Sequence, residues 1–138
     1  LERFKPFFVF QNYFCYNMIT KKYTEVVEVI FLIGNIVKVI VDRPLGSHHP
    51  KHKDIYYPVN YGYIEGMIAP DGEEQDAYIL GVDEPVNEFI GKVIAIIHRN
   101  DDIEEKLVVV PEEVYLSAEQ IMEGVAFMER YFDSEIIM

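Results

Sequence analysis

Two acidic runs hold the residues best suited to chemistry: Asp71-Gly72-Glu73-Glu74-Gln75-Asp76 and Asp101-Asp102-Ile103-Glu104-Glu105-Lys106. Each borders an apolar, strand-like stretch, with Tyr57-Pro58-Val59-Asn60-Tyr61-Gly62-Tyr63-Ile64 close by. Carboxylates held on facing strand ends make a cage of hard oxygen ligands. Such a cage suits Mg²⁺, which takes octahedral oxygen coordination and commonly shares its shell with substrate phosphates. The Asp71-Gly72 turn lets the backbone reverse, so Asp71, Glu73 and Asp76 can converge; the bland alternative is a solvated loop. Lys106 follows Asp101, Asp102, Glu104 and Glu105. It either neutralises them at a charged hairpin tip or points at a phosphate while they hold metal. Tyr57, Tyr61 and Tyr63 recur at period two, which fits an aromatic stripe or phenols donating to a phosphoryl oxygen.

The overall charge narrows the partners. Twelve basic against 24 acidic residues leave a net charge of -12 over 138 residues. A nucleic-acid or anionic-membrane binder presents a basic patch, so neither partner is expected. An acidic chain that handles phosphate needs cations to neutralise both parties. Half the residues are apolar and the length fits one domain with a real core. The single cysteine, Cys15, excludes an intramolecular disulfide and fits a reducing, cytoplasmic compartment. No apolar stretch reaches the ~18 residues of a membrane helix. The chain has no Walker lysine motif, Gly-x-Ser-x-Gly elbow or Cys-x-x-Cys pair. The basic loop Ser47-His48-His49-Pro50-Lys51-His52-Lys53 attracts anions only mildly and reads as exposed.

The elements that must position these groups are mostly short strands. Residues 25–42 read as a β-hairpin turning at Gly34-Asn35, with Lys38 on one face and Val37, Val39 and Val41 on the other. Extended structure is expected again over Tyr56–Ile64, Ala77–Val82, Gly91–His98 and Lys106–Val110. Ser117 and Gln120 form a capping-box pair that opens an amphipathic helix running to about Phe132. The expected fold is mainly β (α+β), a small closed barrel with one helix packed outside. Residues 1–24 form an aromatic segment, read as an upstream extension or an oligomer contact rather than a leader peptide. Residues 25–138 form the barrel domain.

The strand motif Tyr57 to Ile64, followed by Asp71 ten residues after Tyr61, resembles the family I soluble inorganic pyrophosphatases. Their motifs are Tyr-Pro-x-Asn-Tyr-Gly-Tyr/Phe-Ile and Asp-Gly-Asp-x-x-Asp. The compact bacterial members also carry the Asp-Arg-Pro-Leu-Gly-Ser stretch found here at 42–47, and the likeness runs from about Ile33 to Met138. The resemblance implies a five-stranded, OB-like barrel and Mg²⁺-dependent hydrolysis of pyrophosphate to two phosphates, with Mn²⁺ as a substitute ion. It further implies Asp71, Glu73, Asp76, Asp101 or Asp102, and Glu104 as metal ligands. Glu73, Asp76, Tyr61 and Lys106 take catalytic roles, while Arg43, Lys106 and Tyr131 contact substrate phosphate. Glu28 and Lys38 are candidates for two further family positions, and Lys51 or Lys53 could stand in for Arg43. A homo-oligomer is the family habit.

Three departures qualify the likeness. The middle aspartate of the signature is Glu73, and one extra methylene shifts a carboxylate by ~1.5 Å, which can cost about a hundredfold in rate. Gln75 replaces an apolar residue, and Phe132 stands where a lysine usually follows the helical tyrosine. The leading expectation is water attack on phosphorus assisted by two Mg²⁺ ions. Its rivals are hydrolysis of another diphosphate compound and a non-catalytic metal- or phosphate-binding relative.

Overall fold

The computed structural model describes residues 29–102 and 104–138. The aromatic extension, Cys15, Glu28 and the start of the expected first hairpin lie outside the described residues. Among the described residues, six strands and one complete helix follow in chain order: β1 (Ile36–Arg43), β2 (Asn60–Ile68), β3 (Glu74–Ile79), β4 (Glu88–Arg99), β5 (Glu105–Val110), α1 (Ala118–Glu129) and β6 (Ser134–Ile137).

Strands pair in the order β1-β2-β3-β5-β4, and a β1–β4 ladder closes the circle into a five-stranded barrel. Only β3 and β5 run parallel; every other pair is antiparallel. β6 adds to the far end of β4, pairing Ile96–Arg99 with Ser134–Ile137. The expected five-stranded barrel with an outside helix is therefore what forms, with β6 as an extra strand.

Alternation along the strands produces two apolar layers. Val39, Ile64, Ala77, Ile79, Val93, Ile96, Leu107 and Val109 fill the barrel. Tyr57, Tyr61, Tyr78, Ala95, Ile97, Val108 and Val110 form the outer layer, with Ile121 and Val125 of α1 packed on it. β5 lies between both layers and all six of its residues are buried. Lys106 shares the outer face with Val108 and Val110, so it is carried beneath the helix side of the sheet rather than into the barrel. α1 starts where the sequence indicates: Ser117 Oγ accepts from Gln120 N–H, and the Gln120 side chain accepts from Ser117 N–H. Burying Ile121 and Val125 contributes about 1.5–3 kcal/mol each to holding the helix there.

The Tyr57–Ile64 motif is largely architectural. Asn60 is fully buried; its Oδ1 accepts from the backbone N–H groups of Leu45 and Val86, and its Nδ2 donates to the Glu84 carbonyl. One side chain thus ties the β1–β2 and β3–β4 connections together. Gly62 faces β1 so closely that a Cβ there would lie 1.9 Å from the Ile40 carbonyl oxygen. Only glycine fits.

Several expectations need correction. Residues 29–34 are helical and turn backbone, not the first arm of a hairpin. Local bonds Leu32 N→Val29 O and Ile33 N→Ile30 O satisfy this segment, and both edges of β1 are already taken by β2 and β4. β2 begins at Asn60 rather than Tyr56, because Tyr56 and Tyr57 instead fold back on His48 and Ser47. β3 starts earlier than expected, at Glu74, which places Asp76 within a strand. α1 stops at Glu129, three residues short of Phe132.

Candidate active site

Directly opposed residues of neighbouring strands share a sheet face. Arg43 pairs with Tyr61, and Tyr61 with Tyr78. Asp76 lies two residues before Tyr78, and Lys106 two before Val108, Tyr78's partner on β5. The outer sheet face therefore gathers Arg43, Tyr61, Asp76, Tyr78 and Lys106 from four strands, although 63 positions separate the first from the last.

Lys106 is the centre. Its side chain is 6% exposed, and Nζ donates to Asp76 Oδ2 at 2.7 Å, Glu104 Oε1 at 2.8 Å and Tyr61 Oη at 3.0 Å. An ammonium has three donors, and all three are used. Burial pushes the Tyr61 phenol well above its ordinary pKa, with neighbouring Asp76 adding to the effect. Tyr61 therefore stays protonated and acts as a donor. Arg43 Nη1 donates to Tyr57 Oη at 2.7 Å, and its guanidinium lies 5.7 Å from the Tyr61 ring centre, while Lys106 Nζ lies 5.6 Å from it. The same ring thus has a cation from β1 and a cation from β5 beside it.

A second cation sits deeper. Arg99, at the end of β4, is 5% exposed. It grips Glu129 of α1 through Nε–Oε1 (3.1 Å) and Nη2–Oε2 (2.7 Å), while Nη1 reaches Glu104 Oε1 at 3.3 Å. Phe132 lies under the guanidinium at 3.6 Å. Glu129 also accepts from Tyr78 Oη and Ser134 Oγ. Burial raises the Glu129 carboxyl, but hydrogen bonds from Arg99, Ser134 and Tyr78 outweigh it and leave the carboxyl below its ordinary value. Burial likewise lowers Arg99, and the Glu129 hydrogen bond together with the negative charges of Glu129 and Glu104 and the Tyr78 phenol more than reverses that. Nothing in the acidic motifs pointed to this cluster. The legible signal was Glu129 itself, a carboxylate four residues beyond Val125 and eight beyond Ile121, on the helix's buried stripe.

Asp71, Asp76, Glu104 and Lys106 line one narrow groove with Glu74 and Glu105. Its free volume is about 10 Å³, hardly more than one water, because the lysine fills it. Asp71 Oδ1 accepts from Glu73 N–H at 3.0 Å, while the Glu73 side chain is not among the groove's lining residues. Nor are Asp101 and Asp102: Asp101 Oδ2 accepts from Asp133 N–H at the α1–β6 junction. Tyr131 is 61% exposed and lines a separate cavity with Tyr56 and Arg130. Lys38 pairs with exposed Glu88 on the β1–β4 ladder. Lys51 and Lys53 are exposed on the loop before β2. Among the described residues, a larger cavity of about 370 Å³ is lined by Val29, Leu32, Met67, Ile68, Ala69, Pro70 and Gln75, none of them charged.

The oxygen donors can be tested against a divalent ion. Among the described residues, no three His, Cys, Asp or Glu side chains form a ready metal-holding group. The Lys106 ammonium nevertheless acts as a stand-in cation, on which Asp76 and Glu104 already converge, with Asp71 lining the same groove. Mg²⁺ is typically held by one or two carboxylates completed by substrate phosphates. The donor set fits that mode.

No family model matches the sequence, and no curated protein does. Solved structures do match in shape. The inorganic pyrophosphatase from Neisseria gonorrhoeae aligns with a TM-score of 0.57 at 22% identity, over 71% of this chain and 74% of that one. The enzyme from Ehrlichia chaffeensis gives 0.57 at 16% identity, over 75% and 85%. That from Coxiella burnetii gives 0.53 at 17%, over 75% and 84%. The chain has the fold of the inorganic pyrophosphatases. On that fold, Lys106 joins a groove lined by Asp71, Glu74, Asp76, Glu104 and Glu105 to the protonated Tyr61 phenol, with Arg43 beside the same ring. Among the described residues, no helix is long and apolar enough to cross a membrane.

Proposed function

We propose that the chain hydrolyses inorganic pyrophosphate to two phosphates with the help of Mg²⁺ or Mn²⁺. The observation that carries this reading is the convergence of Asp76, Glu104 and Tyr61 on Lys106, with Arg43 beside the same tyrosine ring, on a pyrophosphatase fold. Asp71, Asp76 and Glu104 would hold the divalent ion. Its chemistry there is Lewis-acid activation of water and neutralisation of phosphate charge.

The chain's own residues supply the rest. Lys106 gives up a carboxylate and turns an N–H towards a substrate phosphate, and the remaining Arg43 donors contact the second phosphate. Tyr61, held protonated, adds a neutral donor. Water attacks phosphorus as the bond to the bridging oxygen breaks, and the electron pair leaves on the departing phosphate. The water's proton passes to a groove carboxylate, and Asp76, freed as Lys106 swings away, takes that role. These fixed donors stabilise the charge that grows on the leaving oxygen. Glu73 in this reading supports the Asp71 turn through its N–H. Tyr131 is assigned no substrate contact.

The decisive experiment is phosphate release from pyrophosphate with Mg²⁺, with Mn²⁺ and with EDTA. Metal-dependent release is expected, and a rate at background with every metal would refute the proposal. A second reading, a binding protein with little turnover, is favoured by the three spent donors of Lys106 and by Glu73 lying outside the groove. Glu73→Asp separates the two readings. A rise of up to about a hundredfold would identify a misplaced carboxylate as the only defect.

A further inference from the structure

Glu104 Oε1 is bound at the same time by Lys106 Nζ at 2.8 Å and Arg99 Nη1 at 3.3 Å. These two cations differ in how free they are. Lys106 has Asp76, 37% exposed, as its other carboxylate and faces the groove. Arg99 is locked: its fork is bidentate to a Glu129 side chain with no exposure, and an aromatic ring closes its face. Releasing Arg99 would leave Glu129 as an uncompensated buried carboxylate, which is far costlier than swinging a lysine. Lys106 can yield to an incoming ion; Arg99 cannot.

We propose that Arg99 is a positioning residue and a resident cation behind Glu104, reaching the groove only through that carboxylate. It half-neutralises Glu104 and weakens that carboxylate's hold on a divalent ion, so that the free protein takes one ion per chain, centred on Asp71 and Asp76 with Glu104 as the weaker ligand. The inference rests on the hydrolase reading and specifies its metal requirement. Two effects of Arg99 on a metal at Glu104 oppose each other: it orients the carboxylate, and it repels the ion. Orientation survives its loss in the free protein, because Lys106 holds the same oxygen until an ion displaces it. Repulsion does not: a unit charge about 6 Å from a divalent ion changes its affinity roughly tenfold even at the dielectric of water, and more in a half-buried groove. Repulsion wins.

The test is Mn²⁺ titration by calorimetry on the wild type, Arg99→Lys and Arg99→Gln, with melting recorded in parallel. The wild type is expected to bind one Mn²⁺. Both variants lose the bidentate fork and melt earlier. Arg99→Lys keeps the charge and binds Mn²⁺ like the wild type, whereas Arg99→Gln binds a second ion or binds at least about tenfold tighter. A merely structural arginine would make the two variants alike in metal binding, and that result overturns the proposal. If Arg99→Gln fails to fold, the Arg99→Gln/Glu129→Gln pair removes the stranded carboxylate and is read the same way. Two or more ions of similar affinity on the wild type overturn it without any variant, and no binding by any form overturns it together with the hydrolase reading. Metal binding as expected, with no release of phosphate from pyrophosphate, counts against the hydrolase alone.

Discussion

The Arg99 cluster and the Lys106 groove are built from the same parts. Each has one cation, a carboxylate of its own, a tyrosine hydroxyl and a share of Glu104. Their tyrosines, Tyr78 and Tyr61, even touch, with ring centres 5.0 Å apart. What differs is water. The Glu129 side chain has no exposure, while those of Asp76 and Glu104 keep 37% and 31%. Helix α1, Phe132 and β6 close the first cluster, and among the described residues nothing equivalent covers the second. Identical chemistry becomes a staple where water is excluded and a binding groove where water can be exchanged.

Breaking each half should therefore give opposite phenotypes. The largest effect belongs to the closed cluster: Glu129→Ala strands Arg99 and is expected to cost about 3–5 kcal/mol of stability. That corresponds to roughly 10–20 °C in melting temperature for a domain of this size, measurable by calorimetry. Next comes the open groove, where Asp76→Asn should reduce phosphate release about a hundredfold while changing stability by no more than ~1 kcal/mol. Should Asp76→Asn melt as early as Glu129→Ala, the contrast drawn from exposure is wrong.

The smallest effect is in pH. Hydrogen bonding holds the Glu129 carboxyl below its ordinary value of 4.5 despite burial. A depressed carboxyl contributes stability that is fully present above the ordinary value and is lost as pH falls through the native one. Denaturant unfolding at pH 7 and between pH 3 and 5 should show a shallower acid decline for Glu129→Gln than for the wild type. An equal decline would place the acid-sensitive group elsewhere.

Local rules were legible and long-range partnerships were not. Ser117 and Gln120 announced the start of α1 because a capping box is satisfied within four residues. The Tyr57–Ile64 motif marked the right strand, but its parts divide between architecture (Asn60, Gly62) and the site (Tyr57, Tyr61) only once β1 and the β3–β4 connection are seen against it. The Gly34-Asn35 hairpin failed because a turn signal cannot say whether both flanks find a free edge. β6 went unseen because four residues carry too little pattern. Among the acidic residues, Asp71, Asp76 and Glu104 share the groove, while Asp101 leans towards Asp133, a partner 32 positions away.

The sequence alone determined the barrel, its capped helix and the strand ends that carry charge, because alternation, turns and caps are encoded over a few neighbouring residues. Only the tertiary structure decided which carboxylates face a common cation and that Arg99 is one of those cations. Hydrogen-bond reach depends on register between strands distant in the chain and on which side chains the helix seals from water.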